Sequence, residues 1–371
     1  MMRCIIIIVI AVCMFGCNST KSKKDVRDIV GSTHAVGRYH LTDKDFLNEG
    51  ADQILELGSH VIKIWFYGKS TEGPAQMYPY NSDWPKVDSL VEGAKLPYFK
   101  ALFDKPFTTY IFVVSSFGRP EDYWRQGITD ADVADEQKQF YELTQYLLTA
   151  YSGTGKTFIF QHWEGDWMVR GDFDAAKDPT EDALKNMVTW LNARQDGVTK
   201  ARNETPHHDV AVYHAAEVNR VVSSMRDGRP NMVNKVLPQT HNDLVSYSAW
   251  DGAIEEYKTP EVLRQCLEFI AQNAPDSEAF GDKNVYLGEF GWPENTYGKD
   301  NALLAVSQTV QTGLDFGCPY IVYWELYCNE LVDPAAKTPV KNNQDVRGFW
   351  LIRPNGTKSP VWDYFHELLM K

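Results

Sequence analysis

Three stretches in succession, TYIFVVSSFG (109–118), FYELTQYLLTAYSG (140–153) and TFIFQHWEGDW (157–167), decide how this chain folds. The first and third are β-branched and aromatic runs of nearly continuous hydrophobicity, the pattern of strands covered on both faces. The middle one sets Phe140, Leu143, Leu147, Leu148 and Tyr151 at helical spacing and stops at Gly153. A strand, a helix and a strand in that order imply two parallel strands joined by a right-handed crossover. Within the unit, AYSGTGKT (150–157) is similar to a phosphate-binding loop, but a helix precedes it and a strand follows. Phosphate needs the helix afterwards, so these residues read as a helix end and a turn.

The same alternation extends in both directions. Strand-like runs recur at 33–41, 60–68, 209–217, 244–251, 285–292 and 320–327, making eight in all. Asp178-Pro179-Thr180-Glu181 opens one intervening helix, with Asp178 as the capping acid and Pro179 at its first position. Thr259-Pro260 opens another, and VWDYFHELL (361–369) supplies the last. Eight such units in 371 residues predict an α/β protein, a single (β/α)8 barrel over 31–371. An open doubly wound sheet would carry a glycine-rich turn after its first strand, and none follows Leu41.

Residues 1–16 stand apart from this pattern. One charge, Arg3, precedes the apolar run CIIIIVIAVCMFG, which is too short for a permanent membrane span and reads as an export signal. Its end, Gly16-Cys17, resembles a bacterial lipobox, which implies lipid on Cys17 and a tether over 17–30. An exported, membrane-anchored lipoprotein, at the outer membrane, is the expectation. The net charge of −13 argues against nucleic acid and acidic polymers as partners. Cys266, Cys318 and Cys328 lack the paired spacing of a metal or redox site and read as buried apolar fillers.

In a barrel, chemistry sits at the C-terminal ends of the strands. Glu164 ends the fourth run and Glu289 the seventh, each with glycine close behind. The chain resembles the clan of retaining glycoside hydrolases on (β/α)8 barrels, on the strength of GEFGW (288–292), Glu164 at strand four and Trp324 in the eighth run. That resemblance implies Glu289 as nucleophile and Glu164 as acid/base, no cofactor, and a carbohydrate substrate. One position departs from the clan: Trp163 stands where an asparagine usually precedes the acid/base.

The residues themselves fit such chemistry. Glycoside cleavage needs one carboxyl protonated and the other ionised. Glu164, between Trp163 and Trp167 with Asp166 two positions on, suits the acid; Lys63 and Tyr247 are candidates to steady a Glu289 anion. Trp65, Trp163, Trp167, Trp250, Trp292 and Trp324 fall at or just after strand ends, where flat rings stack on sugars. His214, Glu217 and Asp251 are candidate sugar contacts or caps of the next helix, and Glu325 and Glu294 are candidate supports. The leading expectation is a monomeric retaining glycosidase acting on a neutral poly- or oligosaccharide. A non-catalytic glycan-binding barrel is the alternative, and a metal-dependent hydrolase using His162, Glu164, Asp166 and His214 is a third reading.

Overall fold

The computed structural model describes residues 24–67 and 73–371. Eight parallel strands close into a barrel in chain order: β1 (Val30–Thr33), β2 (Val61–Tyr67), β3 (Thr109–Ser115), β4 (Lys156–Gln161), β5 (Val210–Val218), β6 (Leu244–Ser248), β7 (Val285–Phe290) and β8 (Ile321–Tyr323), with β8 pairing back onto β1. A principal helix follows each strand: α1 (Phe46–Leu57), α2 (Pro97–Phe103), α3 (Asp130–Ala150), α4 (Glu181–Glu204), α5 (Val221–Asp227), α6 (Glu261–Asn273), α7 (Lys299–Phe316) and α8 (Pro360–Leu369).

Local chemistry accounts for the helix starts. Thr129 opens α3 with a reciprocal capping box to Asp132, and Ser359 caps α8 with Pro360 at its first position. For α4 the cap is Thr180, whose side chain accepts the Ala183 N–H. Asp178 and Pro179 therefore lie just outside the helix. Its capping hydroxyl sits two residues beyond the expected acid.

β1 also differs from expectation. It is Val30–Thr33, and 34–41 runs on as irregular chain. The strand starts within the anticipated tether, of which residues 24–30 fold onto the barrel: Lys24 Nζ donates to the Pro319 carbonyl at 3.3 Å and lies over the Tyr320 ring. The leader and Cys17 lie outside the described residues. Among those described, no helix is long and apolar enough to cross a membrane.

Alternation along the strands divides two cores. One face of each strand packs against the helices in a continuous apolar shell, including Ile62, Phe112, Phe158, Val212 and Leu287. The other fills the barrel with Val61, Ile111, Ile159, Ala215, Leu244, Tyr286, Tyr320 and Val322. Cys266, Cys318 and Cys328, the cysteines among the described residues, are free and buried.

Candidate functional site

Above the apolar floor, the next inward positions are polar. Lys63 of β2, Gln161 of β4, Glu217 of β5 and Ser246 of β6 are all fully buried. Glu217 gathers them. Its Oε2 accepts from Gln161 at 2.6 Å, Ser246 at 2.7 Å and Lys63 at 3.5 Å, while Oε1 accepts the backbone N–H of Glu164 at 3.0 Å. A sequence reading makes Glu217 a rim residue touching sugar; the structure puts it beneath the cavity, where it anchors the backbone of one carboxylate and the cation of the other. Gly288 makes the layer possible, because a Cβ there would fall 1.8 Å from Ser246 Oγ.

The two candidate carboxylates sit on this layer and line one cavity of about 460 Å³, with Trp65, Trp163, Trp167, Trp250 and Trp324 around them. Their surroundings differ. Glu289 receives the Lys63 ammonium at 3.1 Å on Oε2 and the Trp250 indole N–H at 3.1 Å on Oε1. Glu164 receives the Ser248 hydroxyl at 2.7 Å and no cation. Burial, reinforced by the charge of Glu289, pushes the Glu164 carboxyl well above its usual range. Burial raises Glu289 too, but the Lys63 charge and the two hydrogen bonds oppose the rise. These surroundings favour the proton on Glu164 and the anion on Glu289. Lys63 itself pays a burial penalty, which the charges of Glu217 and Glu289 outweigh, so it stays protonated.

Several sequence candidates lie elsewhere. Tyr247 points away from Glu289 and donates to Asp251 at 2.7 Å, and Asp251 in turn accepts the Val222 N–H. The aromatic donor to Glu289 is Trp250, in the turn after β6. His214 is fully buried on the helix-facing side of β5, its ring 6.0 Å from Phe140, because it differs in parity from the inward Glu217. Trp292 is buried between Tyr257 and Tyr297, outside the cavity. Glu294 holds Arg353 and Trp350, and Glu325 accepts the Asn329 N–H behind Trp324.

The metal reading loses its ligand set. His162 Nε2 accepts the Glu217 N–H, and Asp166 takes the backbone N–H groups of Asn219 and Met232. Among the described residues no group of three or more His, Cys, Asp or Glu is placed to hold a metal ion.

Other cavity residues carried no sequence signal. Asn219, just after β5, accepts the Asp166 N–H on Oδ1 at 2.9 Å and lines the cavity. Arg220 lies over the Trp167 ring and pairs with Glu255, and Glu330 pairs with Arg347. Their positions depend on loop paths that carry no periodicity.

No protein-family model matches the chain, and no curated protein matches it in sequence. Solved structures match by shape. A GH5_18 protein from Streptomyces cattleya, in complex with Manβ1-4GlcNAc, aligns with TM-score 0.58 and 13% identity over 92% of this chain and 80% of its own. An exo-β-1,4-mannosidase from an Opitutaceae bacterium gives 0.56 at 13% identity, covering 92% of this chain and 59% of that one. A glycoside hydrolase 5 lichenase from a Caldicellulosiruptor species, in complex with cellotetraose, gives 0.55 at 10% identity over 93% of both. What they share with this chain is the barrel. These neighbours are glycoside hydrolases, and at such identities the likeness is one of fold, leaving function to be argued from the site itself.

Proposed function

We propose that the chain is a retaining glycoside hydrolase acting on a neutral poly- or oligosaccharide, with Glu289 as nucleophile and Glu164 as acid/base. One observation carries this reading: two buried carboxylates line a single tryptophan-walled cavity, one beside a lysine and the other without a cation. In the first step a Glu289 oxygen attacks the anomeric carbon and the bond to the leaving oxygen breaks, while Glu164 gives that oxygen its proton. In the second, Glu164 takes a proton from water, the water oxygen bonds to the anomeric carbon, and the ester to Glu289 breaks. Both groups return to their starting states.

A neutral sugar suits the described rim residues, where Arg220 is engaged by Glu255 and Glu330 by Arg347, so that neither arginine is left free to select an acid. We further infer export and anchoring through Cys17, with a membrane face that carries the barrel by its closed end. The support is Lys24, which lies against Pro319 and Tyr320 at the start of β8, opposite the cavity mouth.

A panel of activated aryl glycosides, together with cellotetraose and β-1,4-mannotetraose, tests the function. Glu289→Gln should abolish hydrolysis of every substrate, because no glycosyl ester forms. Glu164→Ala should lose roughly 10² to 10⁴ fold on poor leaving groups, retain the first step on activated ones, and give a glycosyl azide of retained configuration when azide is added. Inverted product, or equal inactivity of the two variants on every leaving group, would refute the assignment.

A further inference from the structure

The cleft continues past its tryptophan wall. Trp163 and Trp167 also bound a second cavity of about 270 Å³, closed on its far side by Arg125, Asp122, Asp172 and Phe173. Phe173 is 72% exposed, although its ring centre lies only 6.0 Å from Trp163 and 5.8 Å from Trp167. A phenyl ring left this open gains little from folding, yet beside two indoles it completes an aromatic surface in contact with solvent. Charged groups border it. Arg125 is held by Asp122 at 2.5 Å and lies across Gly171, where a Cβ would come within 2.6 Å of the guanidinium carbon. A side chain at position 171 would displace that guanidinium from the cavity edge.

The location gives this surface a role. Glu164 falls between Trp163 and Trp167 in the chain and delivers its proton to the departing oxygen, so the departing half of the substrate lies on its flank. We propose that the second cavity binds a pyranose ring on the leaving-group side of the scissile bond, its face against Trp163 and Phe173 and its hydroxyls toward Arg125 and Asp172. The substrate class is thereby an oligosaccharide or polysaccharide extending beyond the cleaved bond, in preference to a glycoside of a small alcohol. This inference rests on Glu164 being the acid of the proposed hydrolase.

Phe173→Ala tests it, since an exposed ring can be removed without opening the core. In calorimetric titrations at least one of cellotetraose and β-1,4-mannotetraose should bind, and about three- to tenfold more weakly in the variant, the usual worth of one aromatic contact. In kinetics, the ratio of kcat/KM for that tetrasaccharide to kcat/KM for the matching glycosyl fluoride should fall by a similar factor, because fluoride leaves nothing on the aromatic surface. Equal losses on both substrates, unchanged tetrasaccharide affinity, or no binding of either tetrasaccharide overturns the inference. Weakened tetrasaccharide binding by Phe173→Ala in a protein that cleaves no glycoside supports the sugar site and removes the hydrolytic reading instead.

Discussion

Lys63 shows how much one buried charge decides. Its ammonium touches the Glu289 carboxylate at 3.1 Å and the Gly288 carbonyl at 3.0 Å, and among the described residues no other cation pairs with Glu289. Removing it raises the Glu289 pKa, so the proposed nucleophile becomes protonated at a higher pH. In Lys63→Met the acidic limb of the pH–activity profile should move upward by about one to three units. An unmoved limb with merely lowered activity would mean that Lys63 only packs. Glu325 makes a second, separable statement. It is fully buried, its Oε2 has no hydrogen-bond partner, and burial pushes its carboxyl well above 4.5. The native state therefore keeps its proton where the unfolded chain has released it. Stability associated with this group is complete below pH 4.5 and falls as pH rises toward the folded pKa, by about 1.4 kcal/mol per pH unit for one proton. Glu325→Gln abolishes that titration, so its Tm advantage over the parent should grow between pH 5 and 8; a constant difference would exclude the linkage.

At the scale of elements, the site depends on how β4 and β5 are tied together beyond their ladder. Glu217 on β5 fixes the Glu164 backbone, and Asp166 and Asn219 exchange backbone-to-side-chain hydrogen bonds across the two following loops. The β6–β7 pair is tied differently, through tight packing in the barrel interior. Gly288→Ala would drive a methyl group into Ser246 and toward Glu217 Oε2, 3.2 Å away. Overpacking of that kind costs about 1 to 3 kcal/mol. Thermal unfolding should show the loss, and adding Ser246→Ala should recover part of it. Failure of the second substitution to help would place the strain in the backbone instead of the polar layer.

For the molecule as a whole, closed parallel topology puts every strand's C-terminal end on one face, and the candidate carboxylates and their tryptophans collect there. The described N-terminal residues run along the opposite end, beside Pro319 and Tyr320. A lipid on Cys17 would then hold the barrel with its cleft turned from the bilayer. Cys17→Ser should shift the protein from the membrane to the soluble fraction, measured by fractionation and immunoblotting. Persistent membrane association would require another anchor.

Hydrophobic periodicity alone determined the barrel, because alternating strand and helix patterns of fixed order admit few closed solutions. The two carboxylates were legible for the same reason, since each terminates an apolar run. Five of the six strand-end tryptophans line the cavity, and Trp292 does not. Facing was beyond such reading. A strand's period of two gives two opposite assignments, and only closure of the barrel decided that Glu217 points inward while His214 points toward the helices. The β6 turn similarly decided that Trp250, and not Tyr247, donates to Glu289. Contacts between residues dozens of positions apart, such as Lys63 with Glu217 and Glu289, exist only once the strands are paired, because no local pattern encodes the distance between two strand ends.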